Sequence, residues 1–178
     1  MHMTGDLKDA KRMNNSQGAL KVVFTESRID TSQEPELVAE ELVGLATEVL
    51  TQEGLANKSI ELTIHFIDEE AMAELNSEYM EGTGATDVLA FPLDDPKDFP
   101  DGEFLLLGDV LICPKVAKRQ ATQHSYETEI SLLLIHGVLH LLGYDHVEQE
   151  EREIMESRQK EILAKHCLLY TSPSPRDS

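Results

Sequence analysis

No run of apolar residues in this chain is long enough to cross a bilayer. The longest, Ile130 to Leu142, spans thirteen residues and is broken by Ser131, His136, Gly137 and His140; a transmembrane helix needs roughly 20. A secretory signal is missing too, because the first twenty residues carry charges throughout and contain no apolar core segment. The expectation is a soluble, cytoplasmic protein with no membrane partner. Cysteine is scarce. Cys113 and Cys167 lie far apart and form no CxxC pair, and read as a buried small residue and a bystander rather than a disulfide. Basic residues are scarce as well, 15 against 34 acidic, for a net charge of −19. That balance keeps a chain soluble and repels polyanions at long range, so taken alone it argues against nucleic acid as a partner. There are no internal repeats, and 178 residues suit one domain.

What is present reads as alternating short strands and helices. Residues 1–18 show neither a helical nor a strand period and read as a disordered leader, with Met13 a plausible alternative start. Lys21–Thr25 is β-branched and reads as a strand. Val38, Leu42, Leu45 and Val49 follow on one helical face, with Pro35 near the first turn and Gly54 as the stop. Ile60–Ile67 alternates and is the clearest strand. Asp68 is placed to cap a short helix carrying Met72 and Leu75. After a Gly82-Thr83-Gly84 loop, strands are expected at Asp87–Phe91 and Phe104–Cys113. Pro114 opens a helix, and Ser125 caps a long one running to about Leu142 that is apolar nearly all round and hence central and buried. A last helix holds Ile154, Arg158, Ile162 and Leu163. The domain is expected over residues 19–165. The end of the chain, 166–178, breaks with this pattern and reads as non-native or disordered.

The most informative spacing is His136-x-x-x-His140-x-x-Gly143-x-x-His146. Helical residues four apart share a face, with Cβ atoms about 5–6 Å apart, so two imidazoles can converge on one ion at ~2.0–2.1 Å. Gly143 falls where the helix must end, and glycine accepts the left-handed conformation that turns the chain back to deliver His146. Three neutral imidazoles leave the fourth tetrahedral position of a zinc ion to water, the mark of a catalytic site. The ion would lower that water's pKa toward ~7. The spacing matches the metzincin proteases, HExxHxxGxxH, except at one place: their general-base Glu is here Gly137. The general acid/base of this chain is not evident from the sequence.

His136–His146 (HGVLHLLGYDH) also resembles the signature of the YbeY family, single-strand-specific, metal-dependent endoribonucleases of rRNA maturation. The likeness extends to Leu75-Asn76-x-x-Tyr79, to Thr86-Asp87-Val88-Leu89-Ala90-Phe91-Pro92 (the family's TDVLSFP), and to Leu107-Gly108-Asp109-Val110 (its LGDI strand), covering roughly residues 20–165. The resemblance implies an α+β fold, a small mixed four-stranded sheet surrounded by helices with the metal helix buried at its centre. It implies His136, His140 and His146 as ligands of one zinc per chain, RNA phosphodiester hydrolysis in 16S rRNA 3′-end maturation and ribosome quality control, and rRNA as substrate. Ribosomal subunits or assembly factors would be partners, and DNA would not. Two positions depart from the family's pattern. Met80 stands where most members carry an arginine, and Ala90 where they carry serine.

Lys115, Lys118 and Arg119 form the one basic cluster of the folded region. They read either as a solvated face or, at Lys115 and Arg119, as a phosphate contact replacing the missing arginine. Thr86 and Asp87 could line the cleft or serve the turn. Asp145 could orient a ligand imidazole or cap the last helix. Asp109, inside an apolar strand, needs a partner if buried, while His65 and His124 read as structural or solvated. Two other activities compete with the endoribonuclease: a metallohydrolase of peptides, disfavoured by Gly137, and a ribosome-assembly binding protein with a purely structural metal.

Overall fold

The computed structural model describes residues 19–79 and 86–171. Met80 and the Gly82-Thr83-Gly84 loop lie outside the described residues, as do the leader and residues 172–178. Four strands form one mixed sheet: β1 (Ala19–Glu26), β2 (Ser59–Phe66), β3 (Val88–Pro92) and β4 (Phe104–Ile112). Their spatial order is β1-β2-β4-β3, with β1, β2 and β4 parallel and β3 antiparallel on the edge. Helices α1 (Ala39–Gln52), α2 (Glu69–Tyr79), α3 (Pro114–Gln120), α4 (Tyr126–Leu141) and α5 (Gln149–Thr171) surround it. This is the α+β architecture expected from the sequence.

Strand β2 shows the strict alternation that gives a sheet two distinct faces. Ile60, Leu62, Ile64 and Phe66 are buried, whereas Ser59, Glu61, Thr63 and His65 are half-exposed. The buried set joins Val22 of β1 in the main core, against Leu42, Leu45 and Val49 of α1 and the apolar side chains of α4. Strand β4 does something the sequence does not announce. Leu105 and Leu107 face the main core, but so do Val110 and Ile112, so the buried parity switches from odd to even within one strand. The cause is a bulge: Glu61 pairs with Leu106 and Leu62 with Gly108, leaving Leu107 unpaired. Such an extra residue re-aims every side chain after it. Gly108 has φ +145°, and a Cβ there would lie 2.3 Å from the Phe91 carbonyl oxygen, so no other residue fits. Because of the bulge, Asp109 points away from the main core instead of into it.

Two helix starts differ in detail from the expectation. Val38 is the N-cap of α1 and 49% exposed, so the buried stripe begins at Leu42. The Asp68 carboxylate accepts from the Ile29 N–H at 3.1 Å, tying the β1–α1 connection to the start of α2. Ser125 caps α4 as expected, its Oγ accepting from Thr128 N–H at 3.1 Å. α4 packs against α1, α3, α5, β3 and β4, which explains its nearly continuous apolar character. Among the described residues, no helix is long and apolar enough to cross a membrane.

Candidate metal centre

The approach of α4 to the sheet is set by Gly137. A Cβ at this position would lie 2.6 Å from Val110 Cγ1, inside van der Waals contact with a stiff, β-branched side chain. Glycine is therefore required where the helix presses on β4, and the neighbouring His136 projects about 100° around the helix from that contact. This gives Gly137 a physical meaning beyond a missing base. A glutamate there would be driven into the sheet rather than toward the histidines.

α4 then ends in a full Schellman motif. Gly143 N–H donates to the His140 carbonyl and Tyr144 N–H to the Leu139 carbonyl, each at 3.0 Å. Gly143 has φ +106°, the left-handed conformation that glycine adopts at least cost. The reversal returns His146 to the helical pair. Ring centroids of His136–His140, His140–His146 and His136–His146 lie 4.7, 4.8 and 5.6 Å apart. One ligand nitrogen from each ring falls within 4.8 Å of the others. Tetrahedral bonds of ~2.0–2.1 Å imply a nitrogen–nitrogen span of roughly 3.4 Å, so side-chain torsions suffice to close the cluster on an ion.

The protonation chemistry fits a cation. Burial pushes the pKa of both His136 and His140 below the ordinary histidine value, and the facing imidazoles add to the shift. Both shifts favour the neutral ring, the form that binds metal. His136 Nδ1–H donates to Gln159 Oε1 at 2.7 Å, which fixes the tautomer and leaves Nε2 for the ion. Asp87 and Glu156 lie within electrostatic reach of His136, and burial raises the Asp87 carboxyl pKa.

His146 itself is exposed, and its loop is pinned from three sides. The Asp145 carboxylate accepts from the His146 N–H at 2.7 Å, and Arg152 donates to the His146 carbonyl at 3.1 Å. Two residues before it, Tyr144 donates its hydroxyl to Glu53 Oε1 at 2.9 Å, and Arg158 grips Glu53 Oε2 at 2.5 Å. Arg158 also donates to the Gln52 carbonyl at 3.0 Å. The end of α1 and the middle of α5 thereby hold the turn that presents the third imidazole.

The other residues singled out from sequence fall elsewhere. Thr86 is half-buried beside Asp87, where the chain leads into β3. Arg119 is paired with Glu69 at 2.7 Å, and Lys118 donates to the Gln33 carbonyl at 2.9 Å. Lys115 lines a separate pocket with Asp30 and Glu69 that contains none of the three histidines. His124 pairs with Glu129 at 2.6 Å. His65 and Asp109 meet each other on the far face of the sheet at 2.9 Å. Gln159, Glu53 and Arg152 were not singled out from the sequence as site residues. For Gln159 a signal exists: it lies between buried Met155 and Ile162 on one helical face, a polar residue on an otherwise apolar stripe. Glu53 and Arg152 carry no comparable signal, since each sits in a strongly charged stretch.

With this geometry in view, comparison with known proteins is decisive. The family model described as "Endoribonuclease YbeY" matches residues 26–166. The chain belongs to the YbeY family. One YbeY relative, "Endoribonuclease YbeY" of Thermobifida fusca, is 50% identical over 109 residues, covering 58% of this chain and 70% of that protein. Another, of Frankia casuarinae, is 47% identical over 116 residues, covering 61% of this chain and 58% of the relative's length. Among solved structures, the solution structure of TM1509 from Thermotoga maritima superposes with a TM-score of 0.55 at 23% identity, covering 88% of this chain and 96% of that one. That likeness establishes the fold alone. The three histidines, the Schellman turn and the close-packed glycine are thus features of a YbeY chain.

Proposed function

We propose that this chain is a zinc-dependent endoribonuclease that cleaves single-stranded RNA in the maturation of the 16S rRNA 3′ end. The observation that carries the reading is the convergence of His136, His140 and His146, in two of which burial favours the neutral ring, in a chain whose relatives bear the name endoribonuclease. A divalent ion held there supplies a Lewis acid for a phosphoryl oxygen and lowers the pKa of a water in its reach. Imidazole ligands suit zinc, although they also suit nickel and copper.

The chain's own residues supply the rest. Gln159 holds the His136 ring in one tautomer, and the Glu53–Tyr144–Arg158 cluster holds the turn before His146. The exposure of His146 leaves the centre open to a polymer, which favours catalysis over a closed structural site. Peptide hydrolysis is disfavoured because Gly137 faces Val110 and offers no base. Cleavage of single-stranded against duplex RNA by the zinc-loaded protein tests the proposal, with His140→Ala as control. Cutting confined to the single strand and lost in the variant is expected; full activity of the variant would overturn it. A 2′,3′-cyclic phosphate on the product would identify the substrate's own hydroxyl as the nucleophile.

A further inference from the structure

A protein of charge −19 gains little RNA affinity by neutralising phosphates, the interaction that usually supplies most of it. Its candidate basic cluster is occupied: Arg119 pairs with Glu69, Lys118 with a backbone carbonyl, and Lys115 sits beside Asp30 and Glu69. Affinity for a single strand must then come from its bases, through stacking on aromatic side chains and hydrogen bonds to their edges. The open face of the sheet carries a pocket with those two properties. It is a shallow, open depression of about 510 Å³ lined by Tyr79, Phe91, Leu75 and Leu111, with His65 and Asp109 at its polar end. Tyr79 is 59% exposed and packs edge-on against Phe91, with centroids 5.6 Å apart and ring planes at 78°. One aromatic is thus fixed in place while a large part of its surface stays uncovered.

The polar end is built across three strands. Thr25 Oγ1–H donates to His65 Nδ1 at 2.8 Å, and His65 Nε2–H donates to Asp109 Oδ1 at 2.9 Å. Thr25 and His65 are register partners, and the bulge at Gly108 is what turns Asp109 to this face. The relay holds the carboxylate in one orientation. A carboxylate accepts through two oxygens and about four lone-pair sites, so hydrogen bonding to His65 leaves capacity for a ligand's donors. The pocket lies on the face of the sheet opposite the metal centre, and Phe91 reaches it from the edge strand β3, which follows directly on Asp87.

We infer that Tyr79, Phe91 and Asp109 form a nucleobase pocket for an unpaired base of the RNA substrate, with guanine the best fit. Guanine alone offers two adjacent donors, N1–H and the 2-amino group, to one carboxylate; uracil offers a single N–H between two carbonyls that the carboxylate repels. The inference rests on the RNA reading above and adds a base preference to it.

The test uses the full-length, zinc-loaded protein and 2′-O-methyl RNA hexamers, whose 2′-oxygens are blocked, as probes: hexauridylate, and the same hexamer with one uracil replaced by guanine. The guanine-bearing probe is expected to bind about 10-fold more tightly. Tyr79→Ala should weaken both probes by about 10-fold, Tyr79→Phe by less than twofold. Asp109→Asn should erase the guanine preference, and the salt dependence should be shallow. Equal binding of the two probes, or Tyr79→Ala binding as wild type does, would overturn the pocket, as would a face that takes a protein segment and no oligonucleotide. RNA cleavage by the same preparation separates the two ideas: if it persists, only the pocket falls, and if it is absent, the nuclease reading falls too.

Discussion

The two faces of the sheet use histidine in opposite ways. On the helix-covered face, His136, His140 and His146 look at one another, and the hydrogen-bond acceptor on His136 is an uncharged amide. On the open face, His65 is held between the Thr25 hydroxyl and the Asp109 carboxylate. The first arrangement keeps imidazole lone pairs unspent and aims them at a common point, which suits a cation. The second spends both ring nitrogens within the protein and serves to orient a carboxylate. Neighbouring groups, and not the residue type, decide what each histidine can do.

The largest expected effect on this contrast comes from the contact that sets the position of α4. Gly137→Ala places a methyl against Val110 and should cost about 1–3 kcal/mol, and Gly137→Glu more, read as a fall in melting temperature. If Gly137→Glu folded normally and gained peptidase activity, the account of that glycine would be wrong. Next comes the second layer of the metal centre. Gln159→Ala should weaken zinc binding by about 10–100-fold with little change in the melting temperature of the metal-free protein. Tyr144→Phe, which cuts the link to Glu53, should act in the same direction and less strongly. A competition titration with a chelating dye checks both, and unchanged affinity in both would show that the ligands need no such support.

A smaller effect is expected from pH. His136 and His140 both have pKa values below the ordinary histidine value, about 6.5. In the window between the folded and unfolded values, the unfolded chain binds more protons. The stability of the metal-free protein is therefore fully present above that ordinary value and is lost as pH falls through the folded values. Urea denaturation across this range should show the decline, and His136→Asn should flatten it. The smallest effect concerns Lys115 and Arg119. If they contact phosphate, Lys115→Ala with Arg119→Ala should lower the salt slope of RNA binding by about 1–2; an unchanged slope would leave them as a solvated, ion-paired face.

Most of this fold was legible because its signals are local. The alternation of Ile60–Ile67, the cap at Ser125 and the four-residue spacing of His136 and His140 each follow from one element's own geometry. Gly143 was readable as a turn for the same reason. What escaped depended on contacts between elements. The bulge at Leu107–Gly108 arises from pairing with β2 and from the Phe91 carbonyl, and neither is visible in the LGDV stretch. Asp109 accordingly read as a strand residue in need of a partner, and its partner His65 lies 44 residues away. Glu53 meets Arg158 across 105 residues, a separation at which charge pattern carries no signal. The family's arginine position, Met80, falls outside the described residues.

Metal content measured together with RNA cleavage tests the central claim most directly. The account predicts one zinc per chain in the wild-type protein, and loss of both the metal and single-strand cleavage in His136→Ala. A His136→Ala protein that has lost its metal and still cleaves RNA at the wild-type rate would contradict it.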